Sequence, residues 1–215
     1  MNTDLSNYRK SYEKQELLES NISENPMELF QKWFHEVDAH YNTDEPNAMT
    51  ISTIGLDGYP KSRVVLLKKY TYEGFIFYTN YESEKGRAIT ANPNVCLSFF
   101  WHEAERQIII KGKAEKIAAN LSDGYFESRP RGSQLGALVS KQSDVIENRE
   151  VLENNLKALE KEFEGKDIPR PEFWGGFIVK PVEIEFWQGR PNRLHDRIRY
   201  QLDSDLNWQI HRLSP

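Results

Sequence analysis

From Ala48 to Ile117 the chain is a succession of short β-type runs divided by tight-turn signals, with room for only one short helix. The runs are Ala48–Ile54, Ser62–Tyr70, Phe75–Thr79, Val95–Trp101 and Glu105–Ile117. Asp57-Gly58 lies between the first two and Glu73-Gly74 precedes the third, and such pairs suit turns between adjacent strands. The one interruption is Ser83–Ala91, a short helical stretch closed by Asn92-Pro93. Later, Phe177–Trp187 returns to β character with Pro181 as a break. Arg197–Leu202 and Trp208–Leu213 form a closing hairpin around Asp203-Ser204-Asp205. The order of about seven short sequential strands predicts a mainly β fold with flanking helices. Its antiparallel sheet is expected to close, fully or in part, into a barrel.

The flanks read as helix. Asn25-Pro26-Met27-Glu28 places Asn at the cap, Pro at the first helical position and Glu at the third. Met27, Phe30, Phe34, Val37 and Tyr41 keep helical spacing to about Tyr41. Leu121–Ser128 and Pro130–Val139 are further helical stretches. Arg149–Glu164 carries Leu152, Leu156, Leu159 and Phe163 as one apolar stripe suited to core packing. Residues 1–24 are polar and lack a period, so a mobile arm is expected ahead of a single domain over residues 25–215. The length of 215 residues and a hydrophobic share of 38% are enough for one sizeable core.

Charge narrows the function classes. The net charge is −5, which argues against general nucleic-acid binding. Two local basic clusters stand out on this acidic chain: Lys61, Arg63, Lys68, Lys69, and Arg190, Arg193, Arg197, Arg199. Such clusters fit specific anion sites. The single cysteine, Cys96, lies in an apolar run and reads as a small buried hydrophobe. The first twenty residues lack a secretory h-region and no apolar run approaches a membrane span, so a soluble, cytoplasmic protein with no membrane contact is expected. No Gly-x-Gly-x-x-Gly, Walker loop, Gly-x-Ser-x-Gly or metal-ligand spacing occurs, and no metal is expected.

Four segments carry more polar groups than ordinary strands and helices need. Along Arg63-Val64-Val65-Leu66-Leu67-Lys68, alternation puts Arg63 and Lys68 on opposite faces at opposite ends. Tyr78-Thr79 runs into Ser83-Glu84-Lys85, where a helix N-terminus offers N–H groups to a phosphate; Ser83 as a plain N-cap is the alternative. Tyr125, Arg129 and Ser133 are spaced four apart, but Pro130 ends one helix and starts the next. Their donors and the new N-terminus could converge on one phosphate. In Phe186–Arg197, Arg193, His195 and Arg197 alternate and would share one face of an extended segment, with Asp196 turned away. Crowded cations need an answering anion, and they favour a neutral His195 imidazole near neutral pH.

Taken together these segments resemble the pyridoxamine/pyridoxine 5'-phosphate oxidase family. The resemblance runs from about Tyr8 to Pro215. It rests on Arg63–Lys68, Phe77-Tyr78-Thr79-Asn80, Glu105-Arg106-Gln107, Ser128-Arg129-Pro130-Arg131, Val139-Ser140-Lys141-Gln142-Ser143, Phe173-Trp174-Gly175-Gly176-Phe177 and Glu185–Arg197. It implies an FMN-binding split β-barrel of antiparallel, Greek-key type, and a homodimer with FMN near the subunit interface. The implied reaction oxidises pyridoxamine or pyridoxine 5'-phosphate to pyridoxal 5'-phosphate, with O2 as acceptor and H2O2 as product, in vitamin B6 salvage. The positions implied for FMN are Arg63, Val64, Val65, Leu66, Leu67, Lys68, Tyr78, Thr79, Lys85, Gln107, Gln142, Ser143, Trp187 and Arg197. Those implied for substrate are Lys68, Tyr125, Arg129, Ser133, Arg193 and His195. Arg9 and Tyr12 match a segment that closes over substrate in the family, which gives the arm a lid role. Arg193 and His195 are the implied catalytic pair, and the residues do not decide which of them handles the proton.

The chain departs from the family pattern at Glu84, where relatives often carry Arg; Arg87 is a candidate to compensate. Two other readings remain. A flavin reductase on the same fold would use Arg63, Tyr78, Thr79 and Lys85 but not the Tyr125/Arg129/Ser133 and Arg193/His195 sets. A non-enzymatic pyridoxal phosphate carrier would use the phosphate donors but not Gln107, Gln142 and Trp187.

Overall fold

The fold rests on nine strands, and in a computed structural model that describes Met1 and residues 3–215 they form one sheet. The strands are β1 (Ala48–Ile54), β2 (Pro60–Leu66), β3 (Lys69–Thr71), β4 (Gly74–Asn80), β5 (Asn94–Trp101), β6 (Arg106–Lys116), β7 (Trp174–Gln188), β8 (Asp196–Leu202) and β9 (Trp208–Arg212). Their order is β2-β1-β5-β6-β7-β4-β3, with β8 pairing both β7 and β9. The helices are α1 (Pro26–His40), α2 (Glu84–Ala91), α3 (Ala119–Glu127), α4 (Arg131–Val139) and α5 (Arg149–Glu162). No helix among the described residues is long and apolar enough to cross a membrane.

Two departures from the sequence expectation come from changes of strand partner. The run Ser62–Tyr70 is broken after Leu66: Lys68 N–H already donates to Ile76 O, and β3 pairs with β4. At the break Leu67 turns into the core, 4% exposed. Conversely, Pro181 does not break β7. It lies between the stretch paired with β4, Trp174–Val179, and the stretch paired with β8, Glu183–Gln188. Neither register needs the N–H that proline lacks. Gly74 opens β4 at φ 151°, and a Cβ there would stand 2.1 Å from Val179 O. Only glycine lets the β3–β4 turn lie this close to β7.

The described residues divide into two compact units. One comprises Met1–Thr50, Leu97–Lys111 and Pro181–Pro215. Here α1 starts as expected: Asn25 Oδ1 accepts the Met27 N–H at 2.9 Å, with Pro26 at the first position. Its buried face is Met27, Leu29, Phe30, Trp33 and Val37, whereas Phe34 and Tyr41 are only half-buried. Phe30 meets Phe99 edge-on and Trp33 meets Phe186, so the helix closes over aromatic strand residues. Residues 12–24 of the polar arm are tied to this unit. Asp196 Oδ2 accepts the Leu17 N–H, and Arg212 pairs with Glu19.

The other unit comprises Ile51–Cys96 and Gly112–Lys180. A small core of Phe126, Leu135, Ile168 and Trp174 holds α3 and α4 in place. The α5 stripe reaches this core only from its edge: Leu156, Leu159 and Phe163 pack on it while half-buried, and no α5 residue is fully buried. The helix shields the cluster without entering it.

Candidate active site

A cavity of about 570 Å³ opens in the second unit. Nine residues expected to hold the flavin contribute to it: Arg63, Val64, Val65, Leu66 and Lys68 from β2 and the following break, Tyr78 and Thr79 from β4, Lys85 from α2, and Gln142. Tyr125, Arg129 and Ser133 line the same cavity. Pro130 stands at the N-cap of α4, so the expected junction of a helix end with a helix start is what brings these three together.

Local folding explains each donor. Ser83 is an N-cap, its Oγ accepting the Gly86 N–H at 3.2 Å. That frees the next turn to direct Lys85 inward, where Nζ donates to Gln142 Oε1 at 2.7 Å and Thr79 Oγ1 at 3.0 Å. Arg63 Nη1 donates to Thr53 Oγ1 and to Lys61 O, both at 2.7 Å. Burial, together with the Arg63 charge, pushes Lys85 down to about 8. Burial also lowers Arg63 and Arg129 from their usual values. Burial thus disfavours the charge of all three cations, and the Glu84 carboxylate offsets this only in part at Arg63 and Lys85.

Arg129 sits over the Trp174 ring at 4.6 Å, and its Nη1 is buried with no hydrogen-bond partner among the described residues. Tyr78 and Tyr125 stack at 3.9 Å with Trp174 nearly parallel beside them. Trp174 and Asn80 also line the cavity and were not among the expected residues. The string Phe173-Trp174-Gly175-Gly176-Phe177 holds the one local signal near Trp174: paired glycines that mark close approach to the strand, here by Tyr81 and Ser122 at Gly175 and by Ile117 and Tyr78 at Gly176.

The remaining expected residues lie elsewhere. Leu67 is core, and Ser143 Oγ accepts the Glu84 N–H at 3.2 Å. Arg9, Tyr12, Gln107, Trp187, Arg193, His195 and Arg197 belong to the first unit. There, Arg193, His195 and Arg197 do not share an extended face. Pro191–Arg193 forms a 3-10 turn with Asn192 and Arg193 at φ 57° and 62°, closed by Leu194 N–H on Pro191 O. Arg197 is answered internally: its Nε and Nη2 donate to the two oxygens of Glu185, at 2.8 and 3.1 Å. His195 packs against Trp187 at 4.8 Å, and its Nδ1 accepts the Arg190 N–H. Burial first, then the Arg193 charge, holds His195 below its usual value, against Asp196.

Residues 35–161 match the family model described as "Pyridoxamine 5'-phosphate oxidase", and residues 174–215 match "Pyridoxine 5'-phosphate oxidase C-terminal dimerisation region". The chain belongs to the pyridoxamine 5'-phosphate oxidase family. Relatives named pyridoxine/pyridoxamine 5'-phosphate oxidase include that of Flavobacterium psychrophilum, 71% identical with 99% of both chains covered. That of Christiangramia forsetii is 55% identical over the whole of both chains. Among solved structures, PhzG from Burkholderia lata, in complex with tetrahydrophenazine-1-carboxylic acid, superposes with a TM-score of 0.85. It is 30% identical, covering 91% of this chain and 95% of that one. An FMN binding protein from Nostoc punctiforme, 13% identical with a TM-score of 0.69 over 86% of this chain and 96% of that one, shares the fold alone. The fold is thus the split β-barrel of this family, and the protein is an oxidoreductase.

FMN is the cofactor of the oxidase family. The cavity fits it: Lys85, Arg63, the Thr79 hydroxyl and the Gln142 amide make a donor set suited to a phosphate ester. Glu84 does not spoil that set, because its carboxylate is exposed and pairs with Lys61 at 2.5 Å. Arg87 does not compensate for it; its Nη1 donates to Glu82 O and it borders a separate cavity with Lys116.

Proposed function

We infer that this chain oxidises pyridoxamine or pyridoxine 5'-phosphate to pyridoxal 5'-phosphate, with O2 as acceptor and H2O2 as product, in vitamin B6 salvage; from the amine, water is consumed and ammonia released as well. The observation that carries this reading is the convergence of Lys68, Tyr125, Arg129 and Ser133 on one cavity, with Arg129 Nη1 buried and unanswered. A substrate phosphate supplies the missing acceptors. FMN, when bound, supplies the two-electron acceptor for the substrate's C4' hydride. Arg63, Thr79, Lys85 and Gln142 hold its phosphate, with the β2 backbone, Lys68 and Tyr78 beside it. Gln107, Ser143, Trp187 and Arg197 complete the proposed flavin set. A homodimer with FMN near the subunit interface is the proposed assembly, and the match of residues 174–215 to a dimerisation region supports it.

Arg193 and His195 act on the substrate ring. Because His195 Nδ1 accepts the Arg190 N–H, the proton of its neutral ring sits on Nε2. His195 thereby offers a donor from Nε2, beside the permanent charge of Arg193. The test is the visible spectrum of the purified protein, followed by pyridoxal phosphate and peroxide production from pyridoxine 5'-phosphate in air. A flavin spectrum without product would point to a reductase, and tight pyridoxal phosphate binding without flavin to a carrier; either result removes the oxidase reading.

Lys85 gives a pH signature. It sits at about 8 in the free pocket, and a phosphate dianion beside it raises that value. The protonated form binds, so FMN affinity should fall as pH rises above about 8 and binding there should take up a proton. Titration calorimetry near about pH 8.5, in two buffers of different ionisation enthalpy, measures the uptake. Lys85→Met should abolish it.

A further inference from the structure

The arm is held by a side chain outside both proposed ligand sets. Glu105 closes a 3-10 turn at φ 55° and is 2% exposed. Its Oε2 accepts the backbone N–H groups of Glu13 and Lys14 at 2.9 and 3.1 Å, and its Oε1 lies 3.4 Å from Lys10 Nζ. A buried carboxylate that takes two main-chain N–H groups of a distant segment is a clamp on that segment. Immediately before the clamp, Tyr12 meets Trp187 and His195 edge-on, at 5.7 and 5.9 Å. Room for its ring depends on Gly189, where a Cβ would stand 2.7 Å from Tyr12 Cγ and 3.2 Å from Glu105 Cβ. Gly189 N–H in turn donates to Glu105 O at 2.8 Å.

We propose that Glu105 and Gly189 form the seat that docks the N-terminal arm and positions Tyr12 against His195 and Trp187. The two divide the task. Glu105 fixes the arm's backbone in register, and Gly189 leaves the hollow that the Tyr12 ring fills. Residues 13–19 are fastened further along by Arg190 on Glu16, Asp196 on Leu17 and Arg212 on Glu19. Tyr12 shields one side of His195 from water and fixes its ring, so Glu105 and Gly189 are positioning residues for the oxidation. The role in turnover rests on the substrate-side reading of His195; the seat itself does not.

The experiment uses the full-length, FMN-loaded protein and three variants: Glu105→Ala, Glu105→Gln and Gly189→Ala. Tryptic cleavage after Lys14, followed by mass spectrometry, reports release of the arm independently of activity. Glu105→Ala should speed that cleavage about tenfold or more, the loss expected for charge-assisted hydrogen bonds at a locally opening segment. Gly189→Ala should speed it too, because its Cβ would stand 2.7 Å from Tyr12 Cγ and displace the ring. Both should raise KM for pyridoxine 5'-phosphate several-fold, with FMN content unchanged. Glu105→Gln keeps an acceptor oxygen and should fall between Glu105→Ala and the parent. Gly189→Ala leaves the carboxylate in place, so it tests the seat even if Glu105→Ala fails to fold. Unchanged cleavage in Gly189→Ala overturns the seat. Faster cleavage with unchanged KM and kcat overturns the positioning role. Absence of turnover in the parent protein would instead remove the functional reading, and the proteolysis would still decide the seat.

Discussion

Arg129→Leu is expected to lower kcat/KM for pyridoxine 5'-phosphate by roughly 100- to 1,000-fold, the loss of a charge-assisted phosphate contact in a partly buried site. FMN should be retained, because the proposed flavin phosphate donors are Lys85, Arg63, Thr79 and Gln142. The ligand-free variant should also melt no lower than its parent. Arg129 is held with its charge disfavoured by burial and with Nη1 unpaired, while its stacking on Trp174 returns part of that cost. A leucine keeps the apolar contact and removes the buried donor. Steady-state kinetics and a thermal melt, run on one preparation, check both halves. A wild-type KM in the variant would mean that Arg129 does not hold the substrate.

Arg193→Ala should reduce kcat by about 100-fold while changing FMN retention by less than about twofold, as expected for a group acting on the reacting ring. It should also move the acid limb of the kcat/KM profile. Burial and the Arg193 charge hold His195 below 6.5, so the neutral ring persists to lower pH than in a free histidine. Removing Arg193 lets that value rise, and activity that needs the neutral ring is then lost at a higher pH. Equal losses of flavin and turnover would refute the substrate-side assignment. An unshifted limb would show that His195 does not set it.

The strands were legible because their signals are local: alternation along β1 and β5, and turn residues at Asp57-Gly58 and Glu73-Gly74. Sequence reading failed where pairing partners decide the backbone. Pro181 looked like a strand break, yet it falls between two registers that make no demand on its nitrogen. The Arg63–Lys68 run looked like one strand, yet the chain changes partners at Leu67. The Tyr125/Arg129/Ser133 convergence was readable because Pro130 forces a junction. The role of Trp174 was not, since the paired glycines after it do not say that its ring carries Arg129, which comes from the α3–α4 junction. The pairing of Arg197 with Glu185 was likewise hidden until the register of β7 and β8 placed Trp187 opposite Arg197.

The left-handed turn at Asn192 and Arg193 bears on when order is imposed. Two consecutive non-glycine residues at positive φ cost of order 1–3 kcal/mol each, and such a turn persists only where its surroundings enforce it. The Leu194–Pro191 hydrogen bond and the Arg190–His195 contact supply that enforcement. The base of the Arg193 side chain is therefore fixed while the chain folds, before any ligand arrives. The entropy of ordering this loop is charged to folding and not to each encounter with substrate, so a chain relaxed here by glycine at 192 would keep its charge yet bind as a flexible segment does.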